Sequence, residues 1–598
     1  MRDVLSPFLA WKNLFRDPVS IRDPLNREAA PRYRGFHKND VEKCIGCGTC
    51  ETICQNGAID MVPVDGFDPK NGDSGLRPRI DYGRCCWCAL CVDVCMTGSL
   101  TMSNAYKWVD ADPDAFRFIP GVDAKSWDGS EHGYVCAEGH HLTALERVPM
   151  DEMEPEARIS NFDEIVAGYD VARAKLEADR CVSCGLCIAT CPAHMAIPQY
   201  IEAVRDGDYE RGVALLYETN PFSNTCGRVC THKCETACAV HNEGEAIAIR
   251  WLKRHIMDQV PQEKVREIVG KPGPATGRKV AIVGAGPAGL TAAFDLAKAG
   301  HAVTVYEARH AAGGMTRYGI PEYRLPYDAL DRDVDVITSL GVDIRCDTRI
   351  GRDVAMADLH AANDAVVLAI GLHLGRSTRI PGSEHAQVKK AVDLLRQITD
   401  GEAFDVPKSA VVIGGGNVAM DIARSLARLQ KQIHGKVDVT VTALEDLPHF
   451  LADREEVKEC GEEGIPIFDA RGPQQIVIDD AGRVTGLRTW RVKSIFDDKG
   501  RFAPSYDESD ELFHPAEMVI EAIGQASDVS LLGEALTEEL AWNRGRIAID
   551  PDGRTSVPWL WSAGDCVAGP DVVHAVADGH RVAASIAAVF AERSDARE

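Results

Sequence analysis

Cysteine spacing constrains this 598-residue chain more than any other feature. Cys44, Cys47, Cys50 and Cys54 follow C-x2-C-x2-C-x3-C, and the same spacing returns at Cys85, Cys88, Cys91 and Cys95. Each run precedes a short strand-like segment of one shape, Gly57-Ala58-Ile59-Asp60-Met61 and Gly98-Ser99-Leu100-Thr101-Met102. In such a run three thiolates wrap one face of a cubane and the fourth reaches the neighbouring cluster. Cys44, Cys47, Cys50 and Cys95 are therefore expected to hold one [4Fe-4S] cluster, and Cys85, Cys88, Cys91 and Cys54 the other. Zinc would call for two separated C-x2-C pairs. The proline usual after the fourth cysteine is replaced by Gln55 and Met96, and Cys86, off the spacing, reads as a spectator.

Two further runs follow, Cys181, Cys184, Cys187 and Cys191, then Cys226, Cys230, Cys234 and Cys238, so that 16 of the 21 cysteines fall in four groups before residue 239. An odd total, with no secretory leader visible in the first 40 residues, argues against a disulfide framework and for metal or redox chemistry, and a cytoplasmic location is expected. No run of about 18 apolar residues occurs, so no membrane span is expected. A net charge of −25 repels phosphate backbones and excludes nucleic acid; a docking partner should offer a basic face.

Beyond residue 279 the texture alternates strand and helix. KVAIVGAGPAGLTAAFDLAKAG and SAVVIGGGNVAMDIARSLARL each run from an apolar strand through a glycine turn into a helix. In the first, Gly284, Gly286, Pro287, Ala288 and Gly289 form the turn and Glu307 ends the next strand, where it can accept ribose hydroxyls. In the second, Gly414, Gly416, Asn417, Val418 and Ala419 form the turn, and the following strand ends at Glu445. A carboxylate there accepts a 2′-hydroxyl and repels a 2′-phosphate, which favours NAD(H) over NADP(H).

Two family resemblances extend this reading. Residues 17–107, with PRYRGFHKND and RIDYGRC beside the first two cysteine runs, resemble the two-cluster ferredoxin-like subunit of respiratory complex I, which docks into a larger complex. Residues 165–590, with RCVSCGLCIATCP, CGRVCTHKCETAC, GGGNVAMD and SAGD, resemble the small subunit of glutamate synthase and the N-terminal part of dihydropyrimidine dehydrogenase. That resemblance implies a cluster on Cys181, Cys184, Cys187 and Cys238, and three corners of another on Cys191, Cys230 and Cys234. Family members supply the last corner as Gln or Glu, where this chain places Lys253, a poor ligand while protonated; Cys226 is the candidate substitute, or a bystander. The resemblance further implies FAD on the first fingerprint, with Gly314, Met315, Arg324, Ile350, Gly564, Asp565 and Val573 around it. It implies the nicotinamide nucleotide on the second, closed over by Ala522 and Gly524.

Cys346, Cys460 and Cys566 read as packing residues, and no cysteine pair suits thioredoxin-reductase chemistry. Cys136 with His140 and His141 lacks a fourth ligand. The expected fold is multidomain α/β and α+β: a docking arm (1–40), a ferredoxin-like 2[4Fe-4S] domain (41–107), a linker (108–160) and a helical iron-sulfur domain (161–269). An FAD domain in two parts (275–395 and 521–598) then encloses an NAD(P) domain (405–520). The expected function is an NAD(H)-dependent FAD and iron-sulfur oxidoreductase subunit serving a partner subunit or a ferredoxin, with four clusters and no catalytic side chain. The competing readings are an NADP-linked glutamate synthase small subunit, a bifurcating transhydrogenase subunit, and a relay scaffold without turnover.

Overall fold

The computed structural model describes residues 8, 10–17, 29–70, 72–130 and 133–595; much of the expected docking arm lies outside the described residues. The chain forms two compact units. One comprises residues 1–147 with Arg180–Leu186 and Thr236–Ile247; the other comprises Val148–Asp179, Cys187–Glu235 and the chain from Ala248 onward. Among the described residues no helix is long and apolar enough to cross a membrane.

In the first unit His37–Asn39 pairs antiparallel with Leu100–Met102, and Ile59–Pro63 pairs with Leu76–Asp81, to which Arg117–Phe118 adds. The cysteine loops share one backbone device. Left-handed φ values occur at Gly46 (63°) and Gly48 (76°), at Trp87 (60°) and Ala89 (68°), and at Ser183 (54°) and Gly185 (77°). These are the same two positions of three C-x2-C-x2-C loops. A side chain in that conformation costs about 1–2 kcal/mol, so Trp87, Ala89 and Ser183 hold a bend that composition alone disfavours.

The segment read as a linker is packed from 108 onward. Phe36 stacks on Trp127 with centroids 4.3 Å apart, and Trp108, Phe118, Tyr82 and Trp87 complete the cluster. Isolated aromatics at irregular intervals leave no period to detect, yet they anchor this irregular backbone.

The second unit begins with short helices. At Gly227 an added Cβ would lie 2.9 Å from the Arg254 Cα, so glycine lets helix Ser223–Val229 press against helix Ile249–Gln259. A five-stranded parallel sheet follows, with Lys279–Val283 central between Ala302–Tyr306 and Ala365–Leu368, and Asp343–Arg345 and Leu560–Ser562 at the edges. A second parallel sheet has Ala410–Ile413 central, between Val439–Thr442 and Met518–Glu521. Its central strand is buried along its whole length, as expected where helices cover both faces. An antiparallel meander, Arg471–Ile478, Val484–Phe496 and Phe502–Pro515, is inserted before the last strand of that sheet.

A buried ion network ties the second sheet's helices together. Glu463 accepts two hydrogen bonds from Arg424 (3.1 and 2.8 Å) and two from Arg428 (2.8 and 2.9 Å), and Arg158 Nε lies 3.1 Å away. The Arg428 guanidinium sits 3.9 Å from the Tyr323 ring centroid. Burial pushes the Glu463 carboxyl up, but the hydrogen bonds from Arg428 and Arg424 prevail and hold it at about 2. Glu463→Gln should therefore cost about 3 kcal/mol in urea unfolding, because it leaves buried arginines unpaired. Since the folded value is depressed, the contribution of Glu463 is fully present above pH 4.5 and is lost as pH falls through about 2; unfolding curves measured across that window check it.

Candidate functional site

Gly284 follows the central strand of the first sheet with φ of 107°, and an added Cβ would lie 2.3 Å from the Ala369 oxygen. At Gly289 a Cβ would lie 2.2 Å from the Gly284 oxygen. The chain itself requires both glycines. Gly286 differs: its φ is −83°, and the nearest neighbour of an added Cβ is the Gly314 Cα at 3.9 Å. Gly416 matches it in the second fingerprint, with φ of −102° and nothing within 4 Å. Neither conformation nor packing demands glycine at these two places, whereas a phosphate passing close to the backbone does. Both head helices, Pro287–Lys298 and Asn417–His434, that have no side-chain cap, so first-turn N–H groups remain for an anion.

A cavity of about 590 Å³ opens over these loops. Gly284, Gly286, Pro287, Ala288, Glu307, Gly314, Met315, Arg324, Ile350, Gly564 and Asp565 line it. Gly289 and Val573 do not; both are packed against other elements. Glu307 is buried, accepts the Ala285 and Arg309 amides at 2.9 Å each, and has its carboxyl pushed up by burial. Burial likewise lifts Asp565 to about 6. From the second fingerprint Asn417 and Val418 line the same cavity, whereas Gly414, Gly416, Ala419, Glu445, Ala522 and Gly524 do not. Ala522 and Glu445 flank the loop instead: an added Cβ would meet the Ala522 oxygen at 2.4 Å from Gly414, and the Glu445 Oε2 at 3.2 Å from Gly415.

Arg324 reaches the cavity with its charge already engaged. It donates to both Asp421 oxygens at 2.8 and 2.9 Å, and its Nε lies 2.7 Å from Glu456. Sequence reasoning missed a second set of lining residues, Arg309, Arg349, Arg396 and His373, which are scattered along the chain outside any motif. Burial and the charges of Arg309 and Arg349 bring His373 down to about 4, so the imidazole is neutral while the arginines give this acidic protein a positive recess. Val229 and Thr231, either side of Cys230, also line the cavity, and Thr231 donates to Asp571 at 2.8 Å.

All 21 cysteines are free thiols. Burial is the first cause raising Cys50, and repulsion from Cys47, Cys91, Cys95 and Cys44 adds to it. Cys91 is raised by burial and then by Cys85, Cys88 and Cys54. The structure thus brings together each set of four read from the spacing. Cys184 lies within electrostatic reach of Cys181 and Cys238, and also of Cys47, whose thiol burial pushes up to about 11. Cys187 falls in the second unit. Cys191, Cys226, Cys230 and Cys234 all act on the buried Lys253 ammonium, and burial lifts the wholly buried Cys226 to about 12.

Tyr200 tests whether these residues fit clusters. It is 1% exposed, its hydroxyl has no hydrogen-bond partner, and it faces Cys234, Cys187, Cys191 and Cys230. A buried hydroxyl left unpaired costs about 1–3 kcal/mol, and a sulfur of a cluster held by Cys191, Cys230 and Cys234 would accept a hydrogen bond from it. Among the described residues no three His, Cys, Asp or Glu side chains suit a single metal ion, so Cys136, His140 and His141 do not converge on one. Cys86 is exposed, Cys346 half-buried, and Cys460 and Cys566 fully buried.

Three family models match: pyridine nucleotide-disulphide oxidoreductase over residues 278–579, dihydropyrimidine dehydrogenase domain II, 4Fe-4S cluster, over 158–265, and 4Fe-4S dicluster domain over 43–99. The chain is 38% identical to the NADP(+)-dependent formate dehydrogenase subunit beta of Moorella thermoacetica, over 67% of this chain and 59% of that protein. It is 32% identical to the glutamate synthase [NADPH] small chain of Escherichia coli, over 74% of this chain and 97% of that one. It is 33% identical to the NAD-dependent dihydropyrimidine dehydrogenase subunit PreT of Escherichia coli, over 71% and 96%. The chain therefore spans about three fifths of the formate dehydrogenase subunit and nearly all of the other two.

The glycine geometry makes a sharp contrast. Gly286→Ala should leave the far-UV circular dichroism spectrum intact yet weaken FAD retention tenfold or more, on the order of 1.4 kcal/mol, because the protein itself leaves that space open, with the nearest atom to an added Cβ 3.9 Å away. Gly284→Ala, which meets the Ala369 oxygen, should fail to give folded protein in the same assay.

Proposed function

The chain belongs to the pyridine nucleotide-disulphide oxidoreductase family, and we propose that it is an NAD(H)-dependent FAD and iron-sulfur subunit exchanging electrons with a partner catalytic subunit or a ferredoxin. One observation carries this reading: a single cavity is lined by the first glycine fingerprint, by Asn417 and Val418 just after the glycines of the second, and by the two residues that bracket Cys230. Bound there, FAD supplies the conversion between the electron pair of a nicotinamide and single electrons. The side chains bind and place; none is needed to move a proton. Glu307 and Gly286 suit the flavin nucleotide, and Asn417 and Val418, on the first turn of their helix, hold the nicotinamide nucleotide against the same space. Val229 and Thr231 line the cavity on either side of Cys230 in the chain, which supports the Cys191, Cys230 and Cys234 group as the first outlet. Cys184 near Cys47 then links the Cys181 group to the ferredoxin-like repeat.

The coenzyme preference rests on Glu445, whose carboxylate lies over Gly415. It favours a ribose hydroxyl and disfavours a 2′-phosphate. The relatives include both NADP and NAD proteins by name, so the choice belongs to this chain's own residues. In anaerobic flavin-bleaching assays NADH should outperform NADPH by about tenfold or more, and Glu445→Ala should narrow the gap; an NADPH preference in the unaltered chain rules this reading out.

Cys226 is proposed as the fourth ligand beside Cys191, Cys230 and Cys234. Among the described residues no carboxylate pairs with Lys253, 5% exposed on the facing helix. An unpaired buried ammonium is costly, and an all-thiolate cluster carries the anionic charge that would balance it. Cys226→Ser should lower iron from about sixteen to about twelve atoms per chain, four per cluster; unchanged iron returns Cys226 to the role of bystander.

A further inference from the structure

His37 lies in the first strand of the ferredoxin-like unit, opposite Met102, and is 1% exposed. Its backbone N–H donates to the Tyr82 hydroxyl oxygen at 2.8 Å, and its Nδ1 lies 3.0 Å from the same oxygen. With the backbone amide occupying one lone pair of Tyr82, the phenolic proton is free to go to Nδ1. Nδ1 then accepts, and the ring's proton resides on Nε2. Nε2 lies 3.3 Å from the Cys91 Sγ, both groups being buried. Tyr82 O–H to His37, then His37 N–H to Cys91, is thus a directed chain of donors that ends on a thiolate.

The duplicated run gives an internal control. Cys50 is the counterpart of Cys91, and its sulfur neighbour is the Met61 Sδ at 3.9 Å, a thioether with no proton to give. The two sets of cysteines are alike in spacing and in their left-handed turns, but they differ at this position. Other sulfurs in the repeat take backbone or hydroxyl donors, such as Ala58 N–H to Cys54 at 3.3 Å and Thr49 beside Cys47 at 3.1 Å. The imidazole at Cys91 is the side-chain N–H among the hydrogen bonds described for these eight thiols. A donor to a cluster thiolate stabilises the more negative, reduced state and so raises the reduction potential.

We propose that His37, held by Tyr82, is a positioning residue that donates a hydrogen bond to Cys91 and sets the potential of the cluster on Cys85, Cys88, Cys91 and Cys54 apart from that of its twin. This rests on the assignment of those four cysteines to one cluster.

The test uses the full chain, purified anaerobically with 15N-labelled histidine. Pulsed EPR of the reduced protein should show a weakly coupled histidine nitrogen that disappears in His37→Phe. Redox titration followed by EPR should show one cluster whose reduction becomes about tenfold less favourable, about 59 mV for a one-electron couple, with the other clusters unmoved. Tyr82→Phe keeps the imidazole but removes the group that fixes its tautomer, and should shift the same cluster in the same direction by less. A histidine coupling that persists in His37→Phe, or wild-type potentials in the loaded variants, overturns the proposal. Should His37→Phe fail to assemble a cluster, an unchanged potential in Tyr82→Phe overturns it alone. Iron content of Cys91→Ser separates the two levels: no loss of iron there overturns the cluster assignment itself.

Discussion

Crowding sixteen thiols into low-dielectric surroundings is the constraint on which the rest of the chain depends. Burial raises most of them above the ordinary thiol range, and like-charge neighbours raise them further. Ionising several together without a metal would therefore be prohibitive, whereas iron displaces the protons and spreads the charge over a cluster. This accounts for features that otherwise look like defects. Trp87, Ala89 and Ser183 sit in left-handed conformations that only a fixed loop shape would justify. Among the described residues the Tyr200 hydroxyl is buried with no hydrogen-bond partner, and Lys253 is buried within reach of four thiols.

Much of this was legible in the sequence, because ligand spacing and dinucleotide fingerprints are local. In this spacing the three residues between Cys50 and Cys54 are what leads one to expect the fourth thiolate at the neighbouring cluster, and a strand, a glycine turn and a distal acid are all within about thirty residues of each other. What escaped was non-local. Val229 and Thr231 line the cavity although they lie far from either fingerprint in the sequence, next to the close helix contact at Gly227. Arg309, Arg349 and Arg396 come from separate elements and converge only in the fold. The stretch 108–147 defeated a reading by period, since its order comes from a few aromatic anchors and not from a repeating face.

Arg324 shows how a family-implied role can be refined by geometry. It lines the cavity as the resemblance implies, yet its guanidinium is spent on Asp421 and Glu456, which belong to helices of the second sheet's domain. Glu456 is also bonded to Arg424, so the cavity-lining arginine is continuous with the buried network around Glu463. Charge removed at Glu463 would thus be felt at Arg324. The network couples the stability of the nucleotide domain to the geometry of the space the two fingerprints share.

The same logic gives the net charge of −25 a sharper meaning. The negative excess is distributed over exposed loops and helices, while some cations are withdrawn to where an anion must be held, Lys253 among four thiols and the fully buried Arg77 near Cys44, and Arg309, Arg349 and Arg396 line the cavity from half-buried or exposed positions. A charge placed inside, away from water, acts on its neighbour with little screening, whereas the same charge on the surface is attenuated within about 8 Å at physiological ionic strength. An acidic exterior therefore does not oppose the binding of anionic cofactors, because each site carries its own local cation. It does oppose association with other acidic surfaces at long range, so the chain's polyanionic competitors are excluded by the same distribution that leaves its interior sites strong.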